Sequence, residues 1–306
     1  MGKRNSSRNK GNALHFVSPG AYDTPPLYRH MFQEDVQLMG HFSRSRRNEK
    51  PSLRLEGAEE EVTRATSVCA SIAGDRHYRG EENISGAIEN VVLHLAYDGK
   101  ALFEVVDDPE NSAFSLSSFN PDYVWNLVFS YLQVAPRASW KYLDRKYTVL
   151  AKSAVWRVDM PQELGGARGF RRVLKEMSAW SSLGPEFYQH DLERRQLPKE
   201  FVFGDYRKAH QIQLYRATRE WGWNGRDWSL DYITEYYQFY RHLTFKWAQA
   251  VLREHIAGEF NSLFRRLGIS AQIVVEGLSS PGDVLEVREQ MRAGALDFAG
   301  ATKAIR

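Results

Sequence analysis

The run from Ile84 to Val106 constrains the fold of this chain more than any other stretch. Ile84, Ile88, Val91, Val92 and Leu95 recur at i, i+4, i+7, i+8 and i+11, one face of a helix. Asp98-Gly99 then supplies a stop, because glycine takes the left-handed conformation without a Cβ clash. Ala101-Leu-Phe-Glu-Val-Val106 follows as a short β-rich run, so the segment reads as helix, turn and strand. It holds no phosphate loop, no nucleophile elbow and no metal-ligand spacing.

At 306 residues the chain can bury a real core, as one large domain or two modest ones. No apolar run approaches the roughly 18–20 residues of a membrane helix, so no membrane role is expected. Met1 to Lys10 is basic but lacks the apolar core of a signal peptide. A single cysteine, Cys69, excludes an internal disulfide framework and suits a reducing compartment. The Asn83-Ile84-Ser85 sequon then reads as an accident, and the expectation is a protein of the cytosol or one assembled there. The net charge of +3 is uneven: residues 1–50 carry nine Lys/Arg against four Asp/Glu, and the other 256 carry 32 against 34. The excess sits in a basic arm that either touches nucleic acid or an acidic partner, or is simply solvated.

Along the chain, residues 1–12 read as a disordered basic arm and 13–57 as an irregular segment with a short helix from His30 to Met39. Residues 58–168 read as an α/β region. It opens with a helix over Glu59–Ala73 that carries Cys69 on its apolar side as a packed small residue. Strands are expected at Ala101–Val106, Phe114–Ser118, Asn126–Val134 and Tyr147–Val158. Helices follow in 169–227, at Gly169–Ser182, Pro185–Gln196 and Asp205–Glu220. The last region, 228–306, opens on one helix from Trp228 to Leu267, about 60 Å long at 1.5 Å per residue, with a kink expected at Gly258. A strand over Ala271–Glu276 and a helix capped by Ser280-Pro281 complete it, with Asp297 capping a last short helix. The fold class is α+β, mainly helical, with a central β-rich region and a long helix.

Ten aromatics, Trp221, Trp223, Trp228, Tyr232, Tyr236, Tyr237, Phe239, Tyr240, Phe245 and Trp247, fall in 27 residues, against 13% in the whole chain. They cover nearly every face of a helix, which favours core plus subunit interface over a base-stacking platform. The interface candidates are Trp228, Tyr232, Tyr236, Tyr240 and Trp247. Candidates for phosphate contact are Arg44, Arg46 and Arg47 in the N-terminal segment, Arg168, Arg172 and Lys175 on one helix face, and Lys208, Arg216 and Arg219 on another. Interleaved acids make a solvated face the alternative. His255 and Glu259 lie four apart, but no third ligand and no His-Glu-x-x-His accompany them, so no metal and no cofactor are expected. Asp98 and Glu104 flank the helix–strand junction as nuclease acids would, yet Val105 and Val106 stand where an acid-x-Lys pattern needs lysine. Catalysis is not expected.

Asp98-Gly-Lys-Ala-Leu-Phe-Glu-Val105 is similar to the helix–turn–strand pattern of tailed-phage portal proteins. The segments Phe114-Ser-Leu…Asn120-Pro-Asp-Tyr-Val124, Val155-Trp-Arg-Val-Asp-Met-Pro161…Gly165-Gly-Ala-Arg-Gly169 and Ser279-Ser-Pro-Gly-Asp-Val…Met291-Arg-Ala-Gly-Ala-Leu-Asp-Phe298 resemble, in order, later parts of that family. The likeness spans residues 58–300 as an order of elements. The chain is shorter than most portals, and residues 198–204 leave little room for a clip. The resemblance implies a ring homo-oligomer at a capsid vertex through which double-stranded DNA is packaged and ejected. Contact with DNA would be nonspecific, and capsid, terminase and head–tail connector proteins would be partners in a virion assembled in the host cytoplasm. The rival readings are a divergent metal-dependent nuclease of a mobile element and a nucleic-acid-associated interaction protein.

Overall fold

The computed structural model describes residues 11–16, 27–38, 53–73, 81–108, 113–181, 203–226 and 234–305. The chain divides into two compact units that interleave in sequence. The first comprises Met1–Asp23, Gly40–Asp159 and Ile256–Glu276; the second comprises Thr24–Met39, Met160–His255 and Gly277–Arg306.

Among the described residues the first unit contains α2 (Glu59–Ala70), α3 (Glu81–Asp98) and eight strands: β1 (Leu53–Glu56), β2 (Lys100–Asp108), β3 (Ala113–Ser118), β4 (Val124–Asn126), β5 (Ser130–Val134), β6 (Tyr147–Ala151), β7 (Val155–Asp159) and β8 (Gln272–Val275). They form antiparallel sheets in the orders β3-β2-β7, β4-β5-β6 and β1-β8. The helix–turn–strand reading holds: Ile84, Ile88, Val91, Val92 and Leu95 are all buried, and Gly99 makes the turn at φ 68°. Leu102 and Phe103 follow into the core from β2. An aromatic chain then crosses this unit. The Phe103 ring lies 5.6 Å from His94 and 5.2 Å from Trp156, which lies 4.7 Å from Phe260. Cys69 is fully buried and its thiol is pushed up to about 12, so it is core filler rather than a nucleophile.

Two expected strands each prove to be two. Asn126–Val134 is the β4–β5 hairpin, turned at Leu127-Val-Phe129 with the Leu127 amide donating to the Ser130 carbonyl at 2.9 Å. Apolar residues at that turn carry no turn signal, which hid the break. Tyr147–Val158 is interrupted by a 3-10 turn at Lys152–Ala154 and contributes β6 and β7 to different sheets. Residues 53–56, expected to be irregular, pair with β8, because Leu53 and Leu55 complete a two-stranded ribbon opposite Val275 and Ile273. The segment 11–16 is also tied down. The buried Glu104 carboxylate accepts the Asn12 and Ala13 amides, each at 2.7 Å, and the Gln133 side chain exchanges two hydrogen bonds with the Leu14 backbone, at 2.7 and 2.9 Å. Glu104 therefore pairs with backbone amides. A Cβ on Gly11 would press on this carboxylate and push it off the two amides.

The second unit holds α1 (Leu27–Leu38), α4 (Gly166–Ser181), α5 (Phe203–Ala217), the first part of α6 (Glu235–Arg266), α7 (Pro281–Arg292) and α8 (Phe298–Ala304). Phe32, Phe170, Trp221 and Trp223 form its aromatic centre, with ring centroids 5.2–5.9 Å apart. Trp221 and Trp223 are thus core residues. The helix α6 runs through Gly258 without interruption over 32 residues, about 48 Å at 1.5 Å per residue. The expected Ser280 cap is a full capping box with Asp283, and Asp297 caps α8 through the Gly300 amide. The expected helix Pro185–Gln196 lies outside the described residues.

Replacing Glu104 by Gln leaves one of the two amides facing an NH2 group. It should cost about 1.5–3 kcal/mol, read by urea unfolding, and strip hydrogen-exchange protection from Asn12 and Ala13. Burial lowers the pKa of His94. The unfolded chain then takes up this proton at a higher pH than the folded one, so the contribution of His94 is present above the ordinary histidine pKa near 6.5 and is lost as pH falls through the lower folded value. A His94→Gln variant should show a shallower loss of stability between pH 7 and pH 5 in thermal melts.

Candidate functional site

On α4, Phe170, Val173, Leu174 and Met177 face the core, which leaves Arg168, Arg172 and Lys175 exposed together on the opposite side. Lys208 and Arg216 are likewise exposed on α5. Arg44, Arg46, Arg47, Trp228 and Tyr232 lie outside the described residues. Tyr236 is exposed, its ring 6.4 Å from that of Phe298.

Three remaining candidates meet. Arg219, Tyr240 and Trp247 line one cleft of ≈ 350 Å³ in the second unit, together with Arg241, Arg288, Glu163 and Glu220. Arg219 and Glu220 just past α5, helix α6 and Arg288 of α7 build it, and the adjoining turn from Trp221 to Arg226 packs on α6 at Arg241. Gly222 and Gly225 hold φ values of 67° and 71°, and a Cβ on Gly222 would strike the Arg241 carbonyl oxygen. This turn aims the Trp223 carbonyl at the Arg241 side chain, which is 3% exposed.

Arg241 is the residue that sequence reasoning missed. Its guanidinium donates to Asn224 Oδ1 at 3.0 Å, to the Tyr215 carbonyl at 3.3 Å, to Thr218 Oγ1 at 2.9 Å and to the Trp223 carbonyl at 2.6 Å. It also stacks 4.1 Å from the Tyr215 ring centroid. All these partners are neutral. Burial is the largest influence on this group and lowers its pKa, with Tyr237 and Tyr215 opposing. The available signal was one arginine set among Tyr237, Tyr240 and Phe245 in the aromatic start of α6.

Arg288 lies 5.3 Å over the Tyr240 ring, and its Nε is buried without a hydrogen-bond partner among the described residues. Glu163 and Glu220 are exposed. The cleft thus offers guanidinium groups, carboxylates and aromatic faces, a chemistry of recognition, and pairs no nucleophile with a base. The nuclease reading is weakened in the first unit, where the Glu104 carboxylate is occupied by the Asn12 and Ala13 amides. Among the described residues no cluster of three or more His, Cys, Asp or Glu is placed to hold a metal ion.

No protein-family model and no curated protein matches this chain. Solved structures resemble it at low similarity, two of them as follows. One is a chain from the neck of an empty gene transfer agent particle computed with C6 symmetry, with TM-score 0.42 and 11% identity, covering 89% of this chain and 86% of that one. The other is from the virion of a native gene transfer agent particle, with TM-score 0.34 and 10% identity, covering 89% and 96%. Likeness at this level carries neither a fold nor an activity over to this chain.

Truncating Arg241 to Ala would leave the carbonyls of Tyr215 and Trp223 and the Thr218 hydroxyl short of a donor inside the unit. The expected loss is about 2–4 kcal/mol in chemical denaturation, with Arg241→Lys intermediate because an ammonium reaches fewer of these acceptors.

Proposed function

We propose that this chain is a portal-type structural subunit of a phage-like particle. It assembles as a ring homo-oligomer through which double-stranded DNA is packaged and ejected. The observation that carries this reading is the cleft in which Arg219, Tyr240 and Trp247 converge beside Arg288. Aromatic and arginine side chains in an open recess are what a neighbouring subunit engages as anchors. The aromatic stretch that begins α6 also leaves Tyr236 and Tyr237 at the surface, 40% and 42% exposed, where a monomer gains little from them.

Helices α4 and α5 are the stem-like elements of this reading. Their exposed Arg168, Arg172, Lys175, Lys208 and Arg216 meet the DNA backbone without reading bases, so binding is nonspecific and falls steeply with salt. Capsid, terminase and head–tail connector proteins are the partners that a portal role brings, and the virion is its place of action.

Native mass spectrometry and negative-stain microscopy of the purified chain should show a closed ring, and a paired Tyr240→Ala, Trp247→Ala variant should shift it toward monomer. A wild-type chain that stays monomeric at high concentration overturns the proposal. For DNA, replacing Arg168, Arg172 and Lys175 by neutral residues should flatten the salt dependence of binding, by about 0.9 in slope for each phosphate no longer neutralised.

A further inference from the structure

The sheet β4-β5-β6 breaks the usual rule for its class. An antiparallel sheet with one face on the core alternates apolar inward and polar outward. Here the inward face is Tyr131, Gln133, Thr148 and Leu150, all buried. The outward face is also apolar. Trp125 lies opposite Leu132, which lies opposite Val149, and Val134 lies opposite Tyr147. Trp125, Val149 and Tyr147 are 51%, 57% and 64% exposed, and Val128 and Phe129 at the hairpin tip are 76% and 86% exposed. Singly exposed apolar residues are ordinary, but a contiguous face of them marks an interaction surface.

Charge tells what that surface fits. Residues 124–152 contain Arg137, Lys141, Arg145, Lys146 and Lys152 against Asp144 alone. All five cations are exposed. Lys146 and Lys141 lie over the rings of Trp140 and Tyr142, at 4.8 and 4.7 Å. The residues just before, 51–123, carry 14 Asp/Glu against five Lys/Arg. Within that acidic stretch Glu61 already holds the Ser270 amide and Arg64. Its neighbours Glu59 and Glu60 are exposed at the start of α2.

We infer that the outer face of β4-β5-β6, with its hairpin tip, docks on the acidic surface around Glu59 and Glu60 of a second copy of this chain. Two unlike, complementary surfaces on one subunit make a head-to-tail contact, and such contacts close into rings when the rotation permits. Apolar side chains at the centre with cations around them match an interface core and its polar rim. The exposed rings and cations also suit a single-stranded nucleic acid. The aliphatic Leu132, Val149 and Val128 among them and the complementary carboxylates favour a protein partner, and the test separates the two. The inference rests on the ring reading for the existence of the next copy, but it uses a surface in the first unit, separate from the α6 cleft.

The test uses the full chain, native mass spectrometry for assembly and far-UV circular dichroism for folding. A Val128→Asp, Phe129→Asp variant alters only exposed side chains and should keep the wild-type spectrum while raising the concentration needed for assembly at least tenfold. Lys146→Glu with Lys152→Glu should do the same, and adding Glu59→Lys with Glu60→Lys to that chain should restore assembly. If the wild type forms rings and the tip variant assembles equally well, or the charge swap restores nothing, this inference falls while the ring reading stands. If the wild type is monomeric, both fall. If the tip variant forms rings but no longer binds a single-stranded oligonucleotide or anionic vesicles, the face belongs to that ligand and the inference is overturned.

Discussion

A charged side chain taken out of water has to be answered by dipoles or charge within hydrogen-bond reach, and Glu104 and Arg241 show how the local backbone of this protein is shaped around such groups. In the first unit the Glu104 carboxylate is answered by the amides of Asn12 and Ala13. In the second, the Arg241 guanidinium is answered by the carbonyls of Tyr215 and Trp223 and by Thr218 and Asn224. An unanswered charge at either place would cost several kcal/mol. The consequence is positional: residues 11–14 must run past β2, and the turn after α5 must fold its carbonyls inward. Glycine suits both places: at Gly11 a Cβ would press on the Glu104 carboxylate, and at Gly222 a positive φ and the Arg241 carbonyl leave no other choice.

Around these two points the packing is aromatic. His94, Phe103, Trp156 and Phe260 form a chain through the first unit, and Phe32, Phe170, Trp221 and Trp223 a cluster in the second. Large rings bury much area for a small loss of side-chain entropy, so a few of them can fix the elements they join. Tyr236 and Tyr237 at the start of α6, and the outer face of β4-β5-β6, are left over from this packing. A chain that places aromatics outside its own cores has them available for recognition, which is the physical basis of the assembly reading.

Regular elements were legible in the sequence where a repeat or a cap encoded them. The Ile84–Leu95 stripe, the Gly99 turn, the Ser280 cap and the Asp297 cap follow from side-chain periodicity and from local hydrogen bonding. The breaks at Leu127–Phe129 and Lys152–Ala154 were not legible, because neither carries a glycine–proline signal and both are stabilised by cross-strand bonds. Of the candidate site, Arg219, Tyr240 and Trp247 could be nominated by type and spacing. That they share a cleft could not, since it depends on how Arg219 and Glu220, just past α5, meet helix α6 and Arg288 in the folded unit.

By itself, then, the sequence determined the helix–turn–strand unit, the α+β class and the long helix, all properties set within a few turns of chain. The tertiary structure alone decided the partner of Glu104, the pairing of residues 53–56 with β8, the burial of Arg241 and the outward apolar face of β4-β5-β6. Each depends on contacts that sequence periodicity does not encode, across 91 positions in the case of Ala13 and Glu104. Such contacts leave no periodic trace, because what selects them is the cost of a buried charge or an unpaired strand edge, which arises only once the chain has folded.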